Sequence, residues 1–299
     1  MCGITGLIAR EKMDIGVTIV DMLYQLKHRG KDATGLAFYE DRKDIEIKVA
    51  MDGKEFQPHL ESMISDCGKI SNVRTSPSIG GYTFFEASIA MDYQKIPELH
   101  KKIDAEPQLC VHHLGQRIKV YKDVGDAGDL RGHYDIRGMS GTHGIGHVRL
   151  ATESIENINF AHPLVSYIYP ELAIVHNGQL TNYFNMRRKL ENLGVQFKTY
   201  NDSELIAHYL AYQMKERGKD LEEALWMGLE AFDGVFTFLA STPDQIGAVR
   251  DKLAIKPVLF YESEEKLFMF GSEQTCMAPI MPDIFATEMD PGGAKVWSV

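Results

Sequence analysis

The sequence holds no CxxC pair, no glycine-rich phosphate loop, no excess of positive charge and no apolar run long enough to span a bilayer. Each of these absences removes a class of function. The four cysteines, Cys2, Cys67, Cys110 and Cys276, lie far apart. That scatter excludes the usual zinc and iron–sulfur ligand spacings, so no metal is expected in this chain, and it suits reduced thiols in a cytoplasm. Lys and Arg number 32 against 42 Asp and Glu, a formal charge of -10. Binding a polyphosphate or an anionic membrane needs a basic stripe, so neither nucleic acid nor a membrane is an expected partner. The apolar stretch Ile4 to Ala9 has no basic segment before it and Arg10, Glu11 and Lys12 directly after it, which argues against a signal peptide. Without a P-loop, ATP chemistry is a poor expectation.

What remains is a globular chain of 299 residues, 44% hydrophobic, with neither repeats nor low-complexity tracts. Ile4 to Ala9 reads as a strand and Val17 to Leu26 as a helix, because Ile19, Val20, Leu23 and Leu26 recur at helical spacing. GLAFYE and IEIKVAM read as strands. From about 52 to 141 the pattern is mixed, with helices near Pro58 to Ser65 and Ile96 to Ile103 and strands near Tyr82 to Met91 and Arg117 to Tyr121, and this stretch reads as a large α+β insertion. After it GIGHVR, LVSYIY and LAIVHNG read as strands, Asn182 to Leu193, Ser203 to Met214 and Leu221 to Phe232 as helices, and VFTFLAS, IGAVRD, PVLFYE and LFMFGS as strands. Strand clusters at both ends with helices between them predict two antiparallel sheets packed face to face with helices outside, since each sheet must bury its apolar face.

Cys2 stands directly behind the initiator methionine in MCGITGLIAR. Met1 is trimmed when the second side chain is small, and Cys2 would then carry a thiol and a free α-amine on one residue. The thiolate can attack a carbonyl carbon and the amine, which titrates near neutrality, can move the proton. Three further polar stretches lie between strands: HRGKDATG, HVRLATES with VHNGQLTN, and YNDSE.

Taken in order, these motifs resemble the glutaminase domain of class II glutamine amidotransferases, which are N-terminal-nucleophile hydrolases with a four-layer αββα fold. The likeness covers residues 2–299 apart from the insertion. It implies that Cys2 is the nucleophile and Arg29 its neighbour, and that Asn177 and Gly178 form the oxyanion hole. It further implies that Arg149 and Asp202 hold the α-carboxylate and α-ammonium of L-glutamine, with Thr152 and His176 as further substrate-binding residues. His28 fits an ordering role. Asn177-Gly178 is also a strong hairpin signal, and Asn201 with Glu204 also reads as a helix capping box. His112 and His113, adjacent on a strand, would face opposite ways and make a poor metal pair. Cys67, Cys110 and Cys276 read as buried small hydrophobes.

The synthase domain that usually consumes the ammonia has no room in this chain. VYKDVGDAGDL, the full ATES, VRDKLAIKPVLF and AKVWSV are similar to stand-alone glutaminase subunits of multi-subunit glutamate synthases and N-methylglutamate synthases. That resemblance implies partner subunits holding FMN and iron–sulfur clusters, with no cofactor in this chain; the position and length of the insertion point to it as the docking surface. Which of the two synthases it serves stays open. A domain related to glutamine phosphoribosylpyrophosphate amidotransferase, a non-catalytic glutamine sensor and a hydrolase of other acyl amides are the alternatives.

Overall fold

A computed structural model describes residues 1–150, 158–263 and 267–299. β1 (Gly3–Asp14) leads into α1 (Ile15–Gln25), β2 (Ala33–Tyr39) and β3 (Ile45–Met51). α2 (Gln57–Ser65), β4 (Lys69–Pro77), β5 (Thr83–Ala90), α3 (Ile96–Asp104) and β6 (Leu109–Gly115) follow, and then β7 (Ile118–Val124), α4 (Ala127–His133) and β8 (Ser140–Arg149). The second half runs β9 (Leu164–Val165), β10 (Ala173–Leu180), α5 (Tyr183–Asn192), α6 (Asp202–Glu216), α7 (Leu221–Ala231), β11 (Gly234–Thr242) and β12 (Gln245–Arg250). It closes with β13 (Leu259–Glu262), β14 (Phe268–Gly271), β15 (Thr287–Glu288) and β16 (Gly293–Ser298).

The strands form a seven-stranded sheet in the order β15-β13-β14-β1-β8-β2-β7 and a five-stranded sheet in the order β16-β12-β11-β10-β9. Successive side chains on a strand face opposite sides, and here both sides are apolar. On β1, Ile4 and Ile8 point between the two sheets, where they meet Val175, Leu239 and Phe270. Leu7 points the other way, against Ile19 and Leu23 of α1. The five-stranded sheet turns Ile174, Phe236 and Phe238 onto Leu205 and Leu210 of α6 and Leu225 of α7. The result is the helix–sheet–sheet–helix layering expected from the pattern, an αββα sandwich of the α+β class. Each fully buried Ile, Leu or Phe contributes roughly 1.5–3 kcal/mol by leaving water.

A third sheet, β4-β5-β3-β6, carries α2 and α3 on its apolar face. It spans Ile45 to Gly115, so the insertion begins and ends earlier than residues 52–141. β3, which reads like a strand of the main sheet, pairs with β5 and β6, while β7 returns to pair with β2. The return is fixed by Glu171, buried, which accepts the backbone N–H groups of Gln116 at 2.6 Å and Ile118 at 2.9 Å. LVSYIY is a strand only over Leu164–Val165 and then turns. Cys110 and Cys276 are buried, and burial pushes both thiols up to about 12, so they are inert fillers. Cys67 is half-buried against the core of the third sheet.

Candidate active site

β1 lies inside the seven-stranded sheet, between β14 and β8, and its pairing sets the site. Gly3 is opposite Val148, which brings Cys2 beside the end of β8; Cys2 Sγ lies 3.9 Å from the carbonyl oxygen of Leu150. Ala33 is opposite Arg149, so the loop from His28 to Asp32 crosses the same end of the sandwich. Two side chains converge there on the Cys2 carbonyl oxygen. Arg29 Nε donates to it at 2.9 Å, and Asn177 Nδ2, from β10 of the other sheet, donates at 3.0 Å.

Arg29 is buried, and a buried guanidinium needs a counter-charge. Glu273, just after β14, supplies it: its carboxylate accepts from Arg29 Nη1 at 2.6 Å and lies 3.1 Å from His28 Nε2. Partial burial would raise the Glu273 carboxyl, but the hydrogen bonds from Arg29 and His28 outweigh it and hold the group below its usual range. His28 Nε2 lies 3.1 Å from both Glu273 oxygens, so it meets the site through this carboxylate. No sequence motif contained Glu273.

Glycine allows this crowding. A Cβ on Gly30 would stand 2.5 Å from the carbonyl carbon of Arg149, and one on Gly178 would stand 2.0 Å from the Val235 oxygen, at a φ of +142° that L side chains rarely adopt.

Asp202 is the first residue of α6, behind the N-cap Asn201, whose side chain accepts from the Ser203 N–H. One Asp202 oxygen accepts the Leu180 N–H at 3.0 Å and the other faces His176 Nδ1 at 3.5 Å. His176 Nδ1 is also 2.9 Å from Ser203 Oγ. Burial alone would raise the Asp202 carboxyl; His176 and the hydrogen bonds from His176, Leu180 and Ser203 more than offset it, so the group is held below its usual value and stays a carboxylate. The anticipated capping box does not form. Glu204 instead accepts the backbone N–H groups of Lys198 and Thr199, at 2.6 and 2.8 Å, and ties down the loop in front of α6.

A cavity of about 570 Å³ opens onto these groups, lined by Cys2, Arg149, Gly178 and Asp202 together with His162 and His176. That is ample for a free amino acid. Its lining carries a thiol, a guanidinium and a carboxylate. Thr152 lies outside the described residues. His147 and His162 were not legible as site residues; His147 Nε2 donates to the His176 carbonyl at 3.1 Å, and the His147 and His162 rings stand 4.2 Å apart.

The glutamine amidotransferase domain family matches residues 147–279. A candidate glutamine amidotransferase of Methanothermobacter thermautotrophicus is 32% identical over 310 residues, covering 100% of both chains. The chain belongs to the class II glutamine amidotransferases. The amidotransferase is also 33% identical to the glutamine amidotransferase-like protein GlxB of Rhizobium meliloti, over 99% of this chain and 98% of that one. Its fold is shared with the glutamine phosphoribosylpyrophosphate amidotransferase of B. subtilis, at a TM-score of 0.61 and 18% identity over 99% of this amidotransferase, which spans 49% of that longer chain. No helix among the described residues is long and apolar enough to cross a membrane.

Proposed function

We propose that the chain hydrolyses L-glutamine to glutamate and ammonia through a thioester on Cys2, as a single domain of residues 2–299. The observation that carries this is the convergence of Cys2, Arg149 and Asp202 on one cavity, with Arg29 and Asn177 both donating to the Cys2 carbonyl. Arg149 takes the α-carboxylate as a planar fork of donors, Asp202 takes the α-ammonium, and the carboxamide then reaches Cys2.

Once Met1 is removed, the thiol proton passes to the α-amine of Cys2 as sulfur attacks the amide carbon. The amide carbonyl becomes an oxyanion that the Asn177 amide and the Gly178 N–H stabilise; an amide –NH2 carries two donors, and holding the Cys2 carbonyl uses one. Collapse breaks the C–N bond, and the nitrogen leaves as ammonia with the proton from the amine. Water then attacks the thioester, releasing glutamate and restoring the thiol. Acid-quenched intact mass after mixing with glutamine tests the step: a covalent glutamyl adduct on wild type that mild hydroxylamine removes, and that is absent from Cys2→Ala, supports a thioester, and an adduct equally present on Cys2→Ala contradicts it.

The nitrogen is passed, in this reading, to partner subunits of an FMN- and iron–sulfur-dependent glutamate or N-methylglutamate synthase in the cytoplasm, where a free nucleophilic thiol survives. The end-to-end likeness to a glutamine amidotransferase-like protein of similar length supports a stand-alone subunit. We place partner docking on the insertion, where β4 forms the open edge of its sheet with nearly every residue exposed. A Val73→Pro substitution on that edge should abolish co-purification with the synthase subunit while leaving the melting temperature of this chain unchanged; undiminished co-purification would contradict the placement.

A further inference from the structure

The loop that enters α6 lines the cavity with Tyr200, Asn201, Asp202 and Ser203 in succession. Just ahead of them stands Lys198, which reaches away from the cavity. Its Nζ crosses to the end of α3 in the insertion and donates to the carbonyl oxygens of Asp104 at 2.7 Å and Glu106 at 2.6 Å. A helix ends in carbonyls with no partner inside it and a partial negative charge, so an ammonium suits that place. The end of α3 is itself fixed. One Asp104 carboxylate oxygen accepts the Val111 N–H of β6 at 3.0 Å, and the other lies 3.1 Å from His100 Nε2.

From Lys198 a run of hydrogen bonds leads to the cavity lining. The backbone N–H groups of Lys198 and Thr199 and the Thr199 hydroxyl all donate to the buried Glu204 carboxylate, at 2.6, 2.8 and 2.6 Å. Thr199 Oγ1 accepts the Asn201 N–H at 3.0 Å, and the Asn201 side chain accepts from Ser203 at 2.9 Å. Asp202 is held between these two residues. Packing at the junction is loose: Lys198 lines two small cavities, of about 40 and 70 Å³, that are also walled by Asp104 of the insertion and by Glu204 and His208 of α6. Hydrogen bonds, more than close packing, join the insertion to the loop there.

Building on the glutaminase reading, we propose that Lys198 is a positioning residue that ties the glutamine-binding loop to the insertion, so that the placement of α3 sets how well the cavity takes the amino-acid end of glutamine. Lys198 does not line that cavity and acts through Glu204, Thr199 and Asn201 on Asp202. A partner that shifts the insertion is then felt as a change in glutamine affinity, and bound glutamine changes affinity for the partner by the same factor, because such coupling is reciprocal.

The affinity can be read without turnover. Isothermal titration of glutamine into Cys2→Ala protein is compared with the same titration of Cys2→Ala carrying Lys198→Met or Lys198→Arg, and kcat and KM are measured on the two single variants with Cys2 in place. Methionine keeps an apolar stem and loses every donor, while arginine keeps a cation able to donate to both carbonyls. The expected result is a Kd weakened at least about fivefold by Lys198→Met and less than about twofold by Lys198→Arg, with kcat at saturating glutamine within about twofold of wild type for both.

An unchanged Kd for Lys198→Met would overturn the proposal. Equal weakening by both variants would also overturn it, since the bonds to α3 would then not be what matters, and so would a fall in kcat at unchanged KM. Should Lys198→Met fail to fold, Lys198→Gln takes its place, too short to bond both carbonyls, with the same fivefold expectation against Lys198→Arg. No binding of glutamine by the Cys2→Ala parent would instead count against the glutaminase reading itself.

Discussion

The carbonyl of Cys2 is gripped from two sides, by Arg29 of the loop after α1 and by Asn177 of the opposite sheet, and this fixes the backbone of the proposed nucleophile. The thiol and the amine must both be free for the proposed chemistry. An uncleavable N-terminal extension, which turns the amine into an amide, should therefore abolish glutamate release while glutamine still binds; release at the normal rate would show that the amine is not the base. Asn177→Ala should lower kcat by about a hundred- to a thousand-fold, the usual cost of an oxyanion donor, as measured by steady-state kinetics. Asp202→Asn should act mainly on KM, because it removes a charge that meets the α-ammonium and not the reacting carbon. At this scale the residues of the polar motifs were legible in the sequence: Cys2, Arg29, Arg149, Asn177, Gly178 and Asp202 come together, from the ends of β1 and β8, from β10 and from the start of α6 as well as from a loop. Glu273 was not, because it earns its place only through a contact with Arg29, 244 residues away in sequence.

Elements carry the site through their register. Gly30 sits against the backbone of Arg149 because Ala33 pairs with Arg149 on the neighbouring strand. Gly30→Ala would force a Cβ into a 2.5 Å approach to that backbone, so it should displace the Arg149 fork. The expected outcome is a KM for glutamine raised at least tenfold and a stability loss of about 1–3 kcal/mol, from kinetics and denaturant melts of the same protein. Helices were the most legible elements, since α1, α5 and α7 each show one apolar face at helical spacing, while α6 is buried on every side from Ser203 to Ala211. Strand partnership was less so: IEIKVAM is a good strand in any sheet, and only the fold shows that β3 leaves the main sheet to found the insertion. Glu204 was misread for a related reason. Its carboxylate has two nearby sets of backbone donors, and the loop from Lys198 outcompetes the N-cap.

At the scale of the molecule, the sandwich and the third sheet between them bury several histidines. Burial pushes His113 and His147 down to about 3 and His143 down to about 4, and holds His112 and His162 well below their ordinary value. An unfolded chain has histidines near 6.5. Between these limits the unfolded state binds more protons than the native one, so stability is complete above about pH 6.5 and falls as the pH drops below it. Each such group contributes a slope approaching about 1.4 kcal/mol per pH unit. The melting temperature should accordingly begin to fall near pH 6.5, before the carboxylates titrate, and a flat profile from pH 7.5 to 5 would contradict the neutral core. The layering of the whole was legible from the order of strands and helices, whereas the clustering of His147 with His162 and His176 of the cavity lining was not, because it depends on two sheets meeting face to face.

The central claim is that Cys2 hydrolyses glutamine, and glutamate release by the purified chain tests it most directly, with Met1 removal verified by intact mass and candidate synthase subunits added to fill any missing surface. Wild type is predicted to release glutamate, and Cys2→Ala, equally folded and still able to bind glutamine, is predicted to release none. Equal release by the two proteins would contradict the account.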